Sequence, residues 1–192
     1  YNLCIASSFR LVTKERVDSM KLMNTYLVQY IKENKIRACI ALGASNNYIN
    51  RLHSLEYHDE KHYYENLFGN DIDLIEYNQE RKSSYVAIDN SEVIIGSFTT
   101  IVREAIGMGK KILYCDFTGT NKFSNYDPMI MFTEPNYESF EKRLNELRKE
   151  PYDEYRKRTK KYASYLMNND INFPPHLIIR DKINSILKPN AG

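Results

Sequence analysis

The sequence predicts an α/β domain: a mainly parallel sheet of five or six strands flanked by helices and followed by a helical C-terminal segment. Short apolar runs rich in β-branched residues alternate with longer stretches of helical period, as repeated βα units do. Glycines stand where strand runs stop, at Gly43 and Gly96, and where helical stretches stop, at Gly69 and Gly109. A chain of 192 residues with 42% hydrophobic content is long enough for one sizeable core.

The first strand is expected over 3–6 and a long helix over 14–34, with Val17, Met20, Leu27 and Ile31 on its apolar face. A second strand over 37–42 ends at Gly43. The polar stretch 44–47 opens a less regular section, and a helix over 59–68 stops at Gly69. Residues 72–77 read as the third strand, 84–89 as a short helix and 93–96 as the fourth strand. A helix over 99–108 closes at Gly107 and Gly109 before the fifth strand, 111–115. The loop 116–128 is rich in Asn, Thr, Gly and aromatics, and 130–132 adds a short last strand. From Tyr137 the pattern is helical: Phe140, Leu144 and Leu147 form one stripe, and Tyr155, Tyr162 and Leu166 the next. Pro174 and Pro175 punctuate the chain before a final helix to 187. The last helices are expected to pack beside the sheet. With no internal repeat or long linker, residues 1–192 are expected to form one domain, a βα core over 1–135 and C-terminal helices over 136–192.

With 27 basic and 25 acidic side chains the formal net charge is +2, so no global basic field marks a nucleic-acid partner. Cys4, Cys39 and Cys115 all lie in apolar runs, without the close pairing of a zinc site or a disulfide framework. They read as reduced core thiols and imply a cytoplasmic setting. No stretch approaches the roughly 20 apolar residues that cross a bilayer, so membrane contact is expected to be at most peripheral, at the inner face. The chain opens on a strand without an initiator methionine, which suggests an excised domain or a processed fragment.

In an open parallel sheet, ligands bind outside the carboxyl ends of the strands. The most informative junction is 95–100, where a buried strand meets Gly96, Ser97, Phe98, Thr99 and Thr100 at the start of a helix. Backbone N–H groups and the positive end of the helix dipole attract an anion there, and Ser97, Thr99 and Thr100 add hydroxyl donors. Gly96 lets the backbone come close. The same residues also suit an ordinary turn with Ser97 as N-cap. Glu104, among Val102, Ala105 and Ile106, is placed to accept hydrogen bonds from ribose hydroxyls or to pair with a surface cation. Arg103 suits a diphosphate or the solvent face.

The segment 91–113, with its REAIGMGKKIL run over 103–113, resembles the donor-site motif of GT-B glycosyltransferases. The continuation 114–119, then Tyr137-Glu138-Ser139-Phe140, is similar to bacterial surface-carbohydrate and capsule transferases of that kind; the resemblance covers roughly 70–170. It implies a Rossmann-like domain that binds a nucleotide-sugar donor, the phosphates at Ser97, Thr99 and Thr100 and the ribose at Glu104. It implies no obligatory metal or cofactor. As partners it implies a saccharide or lipid-linked acceptor and an acceptor-binding domain preceding this one, so the catalytic base is not assigned here. Retaining members often carry a second glutamate eight residues before the ribose-binding one; that position is Gly96, so the pattern is absent. Sugar-nucleotide epimerases share the layout, and a non-catalytic binding module with the same fold is a third reading.

Other strand ends map onto the same crevice. Ser7, Ser8 and Arg10 follow the first strand and can face the diphosphate or the interdomain cleft, or form an ordinary polar loop. Gly43, Ser45 and Asn46 follow the second. Tyr77 and Asn78 follow the third, near the place where GT-B domains hold the nucleobase, although a tyrosine at a strand end also suits covering the core. Asp71-Ile72-Asp73 has a metal-nucleotide D-x-D form but stands at a strand entry, the wrong end for the crevice. His58 and His62 lie four apart on a helix without a third ligand, so the run 58–62 reads as a solvated helical face.

Overall fold

The computed structural model describes residues 1–9, 13–43, 51–78, 80–120, 130–166 and 174–187. Within them lie six strands and seven helices: β1 (Leu3–Ala6), α1 (Lys14–Asn34), β2 (Ala38–Ala41), α2 (Arg51–Phe68), β3 (Asp73–Ile75), α3 (Ser83–Asp89), β4 (Val93–Gly96), α4 (Thr100–Gly107), β5 (Lys111–Cys115), β6 (Met131–Phe132), α5 (Tyr137–Lys149), α6 (Tyr152–Leu166) and α7 (Pro175–Leu187). The strands form one sheet in the order β3-β2-β1-β4-β5-β6, parallel throughout. This is the doubly wound, Rossmann-like order.

Continuous apolar strands dictate a three-layer solution, because a strand buried on both faces needs helices on both. Every residue of β1, β2, β4 and β5 is buried. On one face Leu3, Ile5, Ile40, Ile95 and Leu113 pack against Met23, Leu27 and Tyr30 of α1, Tyr64 and Phe68 of α2, and Phe140, Leu144 and Leu147 of α5. On the other, Cys4, Ala6, Ile94 and Ile112 meet Ala87 and Ile88 of α3 and Val102, Ala105 and Ile106 of α4. All three thiols are free and buried, Cys4 beside Cys39 in register on neighbouring strands. Among the described residues no helix is long and apolar enough to cross a membrane.

Lys111 is the charged exception inside β5. Its ammonium donates to the carbonyl oxygens of Arg148 (3.1 Å) and Glu150 (2.5 Å) at the end of α5, and lies 4.9 Å from the centre of the Tyr152 ring. The carbonyls left over at a helix C-terminus thereby gain a cationic donor.

Three elements differ from expectation. α2 begins at Arg51, not near 59, since the segment 51–58 contains no glycine or proline to hold off a helix. β3 is confined to Asp73–Ile75 because it is an edge strand that pairs only with residues 39–41 of β2. α7 does not bury its apolar face beside the sheet: Ile178, Ile179, Ile183 and Ile186 are exposed.

Candidate functional site

β1 and β4 are neighbours in register, Ala6 beside Gly96, yet the chain leaves them in opposite directions. β1 leads through α1 to β2, and β4 leads through α4 to β5 on the other side. Divergence at such a switch point opens a crevice at the carboxyl ends of the two strands.

Gly96 is required there by sterics. A Cβ on it would lie 2.7 Å from Val102 Cγ2, 3.1 Å from Thr99 Cγ2 and 3.3 Å from Ala6 Cβ, so the missing side chain lets α4 pack directly on β4. Its role is close helix–strand packing, not an open approach for a ligand. Ser97 is wholly buried and its Oγ has no hydrogen-bond partner among the described residues. A buried hydroxyl left in that state costs ~1–3 kcal/mol.

Phe98 turns the chain with φ of 55°, a left-handed conformation that is uncommon outside glycine. Its N–H donates to the Tyr114 hydroxyl at 3.2 Å, its ring stands edge-on to Tyr114 at 6.2 Å, and the Arg16 guanidinium lies 5.2 Å from the ring centre. Strain at a site of this kind persists only where surrounding contacts over-determine it. Thr99, not Ser97, is the N-cap of α4, and its side chain makes no capping hydrogen bond. The first turn of α4 thus brings N–H groups without a side-chain cap, and the positive end of its dipole, to the crevice.

Two clefts flank that helix start and share Thr100. The larger, about 540 Å³, is lined by Tyr77, Lys82, Ser84, Tyr85, Thr100, Ile101 and Glu104. Tyr85 donates its phenolic hydrogen to Glu104 Oε2, and this bond, with some burial, raises the Tyr85 pKa above its ordinary value. The smaller, about 420 Å³, lies between the ends of β1, β2 and β4 and is lined by Ser7, Ser8, Phe9, Gly43, Glu60, Phe98, Thr99 and Thr100.

The two serines of the smaller cleft differ in what their hydroxyls have left to offer. Ser7 Oγ donates to Glu60 Oε1 and accepts from the Tyr64 hydroxyl at 3.2 Å and the Phe9 N–H at 3.4 Å, so its one proton and both lone pairs are engaged. Ser8 Oγ is buried without a partner among the described residues. Glu60 is 2% exposed and also accepts the Gly43 N–H at 2.9 Å, which ties the ends of β1 and β2 to α2.

The structure thus brings Tyr77, Thr100 and Glu104 into one cleft and Ser7, Ser8, Thr99 and Thr100 into the other. Gly96 and Ser97 lie buried beneath the turn. Arg103 is half-buried on α4 and is not among the residues lining either cleft. Asn78 is taken up in its own turn: its Oδ1 accepts the Arg81 N–H at 2.9 Å and its N–H donates to Ser83 Oγ at 2.7 Å. Arg10, Ser45 and Asn46 lie outside the described residues.

Glu60 corrects the reading of 58–62 as a solvated face. His62 is exposed, but Glu60 points inward with Tyr64 and Phe68, four and eight residues on, both buried. That spacing was the available signal, since a carboxylate that continues a core stripe has to find donors. Tyr85 and Lys82 carried no such signal, because α3 spans only seven residues.

No protein-family model and no curated protein matches this chain. Among solved structures it is similar to UDP-GlcNAc 2-epimerase from Neisseria meningitidis bound to UDP-GlcNAc, with a TM-score of 0.52 and 13% identity. The match covers 97% of this chain and 44% of the epimerase chain, so this chain spans less than half the length of that neighbour. At that identity the likeness is one of fold, the Rossmann-like α/β arrangement described above.

Proposed function

We propose that this chain is the nucleotide-sugar-binding half of a two-domain GT-B-type glycosyltransferase that acts in bacterial surface-polysaccharide or glycoconjugate assembly at the cytoplasmic face of the membrane. The observation that carries the reading is Thr100, which walls both clefts at the uncapped start of α4, with Glu104 one turn further along in the larger cleft. A nucleotide laid across this point has its phosphates at the first turn, where N–H groups and the Thr99 and Thr100 hydroxyls donate. Its ribose hydroxyls meet the Glu104 carboxylate, and Tyr77 and Tyr85 offer aromatic faces to the base. Transfer of the sugar to a saccharide or lipid-linked acceptor, held by a preceding domain, builds negative charge on the departing phosphate. The helix dipole and the hydroxyls stabilise that charge without an obligatory metal or cofactor. Arg103 and Arg10 remain candidates for the diphosphate and Asn78 for the border of the base site. No role for nucleic acid is proposed.

A sugar-nucleotide epimerase is the second reading, supported by the fold similarity to UDP-GlcNAc 2-epimerase. Such an enzyme alters or releases the sugar without an acceptor, so product analysis with and without added saccharide separates the two.

Calorimetric titration with UDP, CMP, CDP and GDP tests the binding claim. One nucleotide is expected to bind, and both Glu104→Ala and the double variant Thr99→Ala/Thr100→Ala are expected to weaken it. If none binds to folded protein, the stand-alone donor-site reading falls and a partner-dependent or non-catalytic module replaces it.

A further inference from the structure

The smaller cleft differs in chemistry from the larger. Its described lining residues carry no lysine or arginine, whereas the larger cleft has Lys82. Its polar wall consists of hydroxyls and one carboxylate, Ser7, Ser8, Thr99, Thr100 and Glu60, and its apolar wall of the Phe9 and Phe98 rings. A wall of that make-up suits an uncharged group bearing several hydroxyls, which both donates and accepts, better than a phosphate, which only accepts.

Within this wall Ser8 is the residue that lacks something. Ser8 is more than nine-tenths buried and is one of the residues lining the cleft, and its Oγ has no partner among the described residues, while its neighbour Ser7 is saturated by Glu60, Tyr64 and the Phe9 amide. Buried polar atoms in folded proteins nearly always have partners, so an orphan at a cleft wall marks where a ligand atom supplies one. Glu60 fixes this geometry. By accepting from Ser7 Oγ and from the Gly43 amide it holds the ends of β1 and β2 on either side of the cleft.

We propose that the cleft bounded by Ser8, Glu60, Phe9 and Phe98 is a subsite for the neutral glycosyl group of a nucleotide sugar, with Ser8 bonding a sugar hydroxyl and Glu60 positioning Ser8. The inference rests on the nucleotide-site reading above and extends it to the sugar. The phosphates stay at Thr99 and Thr100 between the clefts. An acidic sugar is disfavoured, since its carboxylate meets a carboxylate wall without a cation among the described lining residues.

The test compares calorimetric affinities for UDP, UDP-glucose and UDP-glucuronic acid, with GDP and GDP-mannose as a second series, for the wild type, Ser8→Ala and Glu60→Gln. The readout is the ratio of affinities, sugar conjugate to bare nucleotide. In the wild type the neutral conjugate of the preferred base is expected to bind about 3- to 10-fold more tightly than the bare nucleotide, the range of one or two added hydrogen bonds. The uronic acid conjugate is expected to bind no more tightly than the nucleotide. Ser8→Ala, which breaks no internal hydrogen bond among the described residues, is expected to bring the neutral ratio to about one; Glu60→Gln is expected to lower it less, because an amide oxygen still accepts from Gly43. A wild-type ratio of one, or a ratio that Ser8→Ala leaves intact, overturns the subsite while the nucleotide reading stands. Absence of all nucleotide binding overturns both.

Discussion

The phenol of Tyr85 on α3 donates a hydrogen bond to the carboxylate of Glu104 on α4, joining the two walls of the larger cleft. The bond holds one carboxylate oxygen towards α3. It also explains why the Tyr85 hydroxyl resists ionisation, because losing its proton would set two negative charges side by side.

Replacing Glu104 by alanine is therefore expected to remove the acceptor for the ribose hydroxyls and to weaken nucleotide binding about 10-fold or more. Hydrogen bonds to a charged group contribute ~1.5–3 kcal/mol each. Tyr85→Phe keeps the carboxylate but not its orientation, and the expected loss is smaller, about 3-fold, for one neutral donor. Calorimetry on both variants checks the order; a larger loss for Tyr85→Phe than for Glu104→Ala would show that the phenol, not the carboxylate, meets the ligand.

Gly96→Ala places a Cβ 2.7 Å from Val102 Cγ2 and forces α4 away from β4. Overpacking of this kind costs ~1–3 kcal/mol. Because one methyl contact dominates, Val102→Ala in the same chain is expected to recover part of the loss, so that the double variant is more stable than the sum of the two single losses predicts. Urea denaturation of the four proteins measures this directly. Strict additivity would place the difficulty at Thr99 or Ala6 instead.

Alkaline pH should act through Tyr64. Burial pushes its pKa far above the ordinary 10.0, and Tyr30 and Tyr63 are raised for the same reason. Above pH 10 the unfolded chain has released these protons while the folded chain still holds them, so the unfolded state binds fewer protons and stability falls as pH rises. The urea midpoint is expected to be steady from pH 7 to 9 and to drop beyond about pH 10. Tyr64→Phe should start ~1 kcal/mol less stable at pH 7, from the lost hydrogen bond to Ser7, and should show a shallower alkaline decline.

The sheet was legible in the sequence because strands buried on both faces read as unbroken apolar runs, such as Val93-Ile94-Ile95. The turn after them was legible because small and hydroxyl residues cluster at the switch point. What could not be read was which hydroxyl is free: Ser7 and Ser8 are chemically equal in sequence, and the partners that engage Ser7 include Glu60 and Tyr64, more than fifty residues away. Gly96 looked like room for a ligand, yet its vacancy is filled by Val102, because a strand-to-helix glycine can serve packing as well as approach. Ser97 was equally ambiguous: the N-cap position falls on Thr99, beyond the left-handed Phe98, and the Thr99 side chain makes no capping hydrogen bond.

Lys111 supplies the prediction of opposite sign. Burial lowers its pKa, so just below the ordinary lysine value of 10.5 the folded chain holds fewer protons at this residue than the unfolded chain, and its contribution to stability rises with pH. Lys111→Met keeps the length of the side chain but leaves the Arg148 and Glu150 carbonyls without their donor, an expected loss of ~1–3 kcal/mol at pH 7. It also deletes the rising component, so the alkaline decline driven by the tyrosines should become steeper than in the wild type, the reverse of Tyr64→Phe. Urea midpoints at pH 7, 9 and 10.5 separate the two variants. A Lys111→Met chain as stable as the wild type at pH 7 would show that water satisfies the end of α5 without the ammonium.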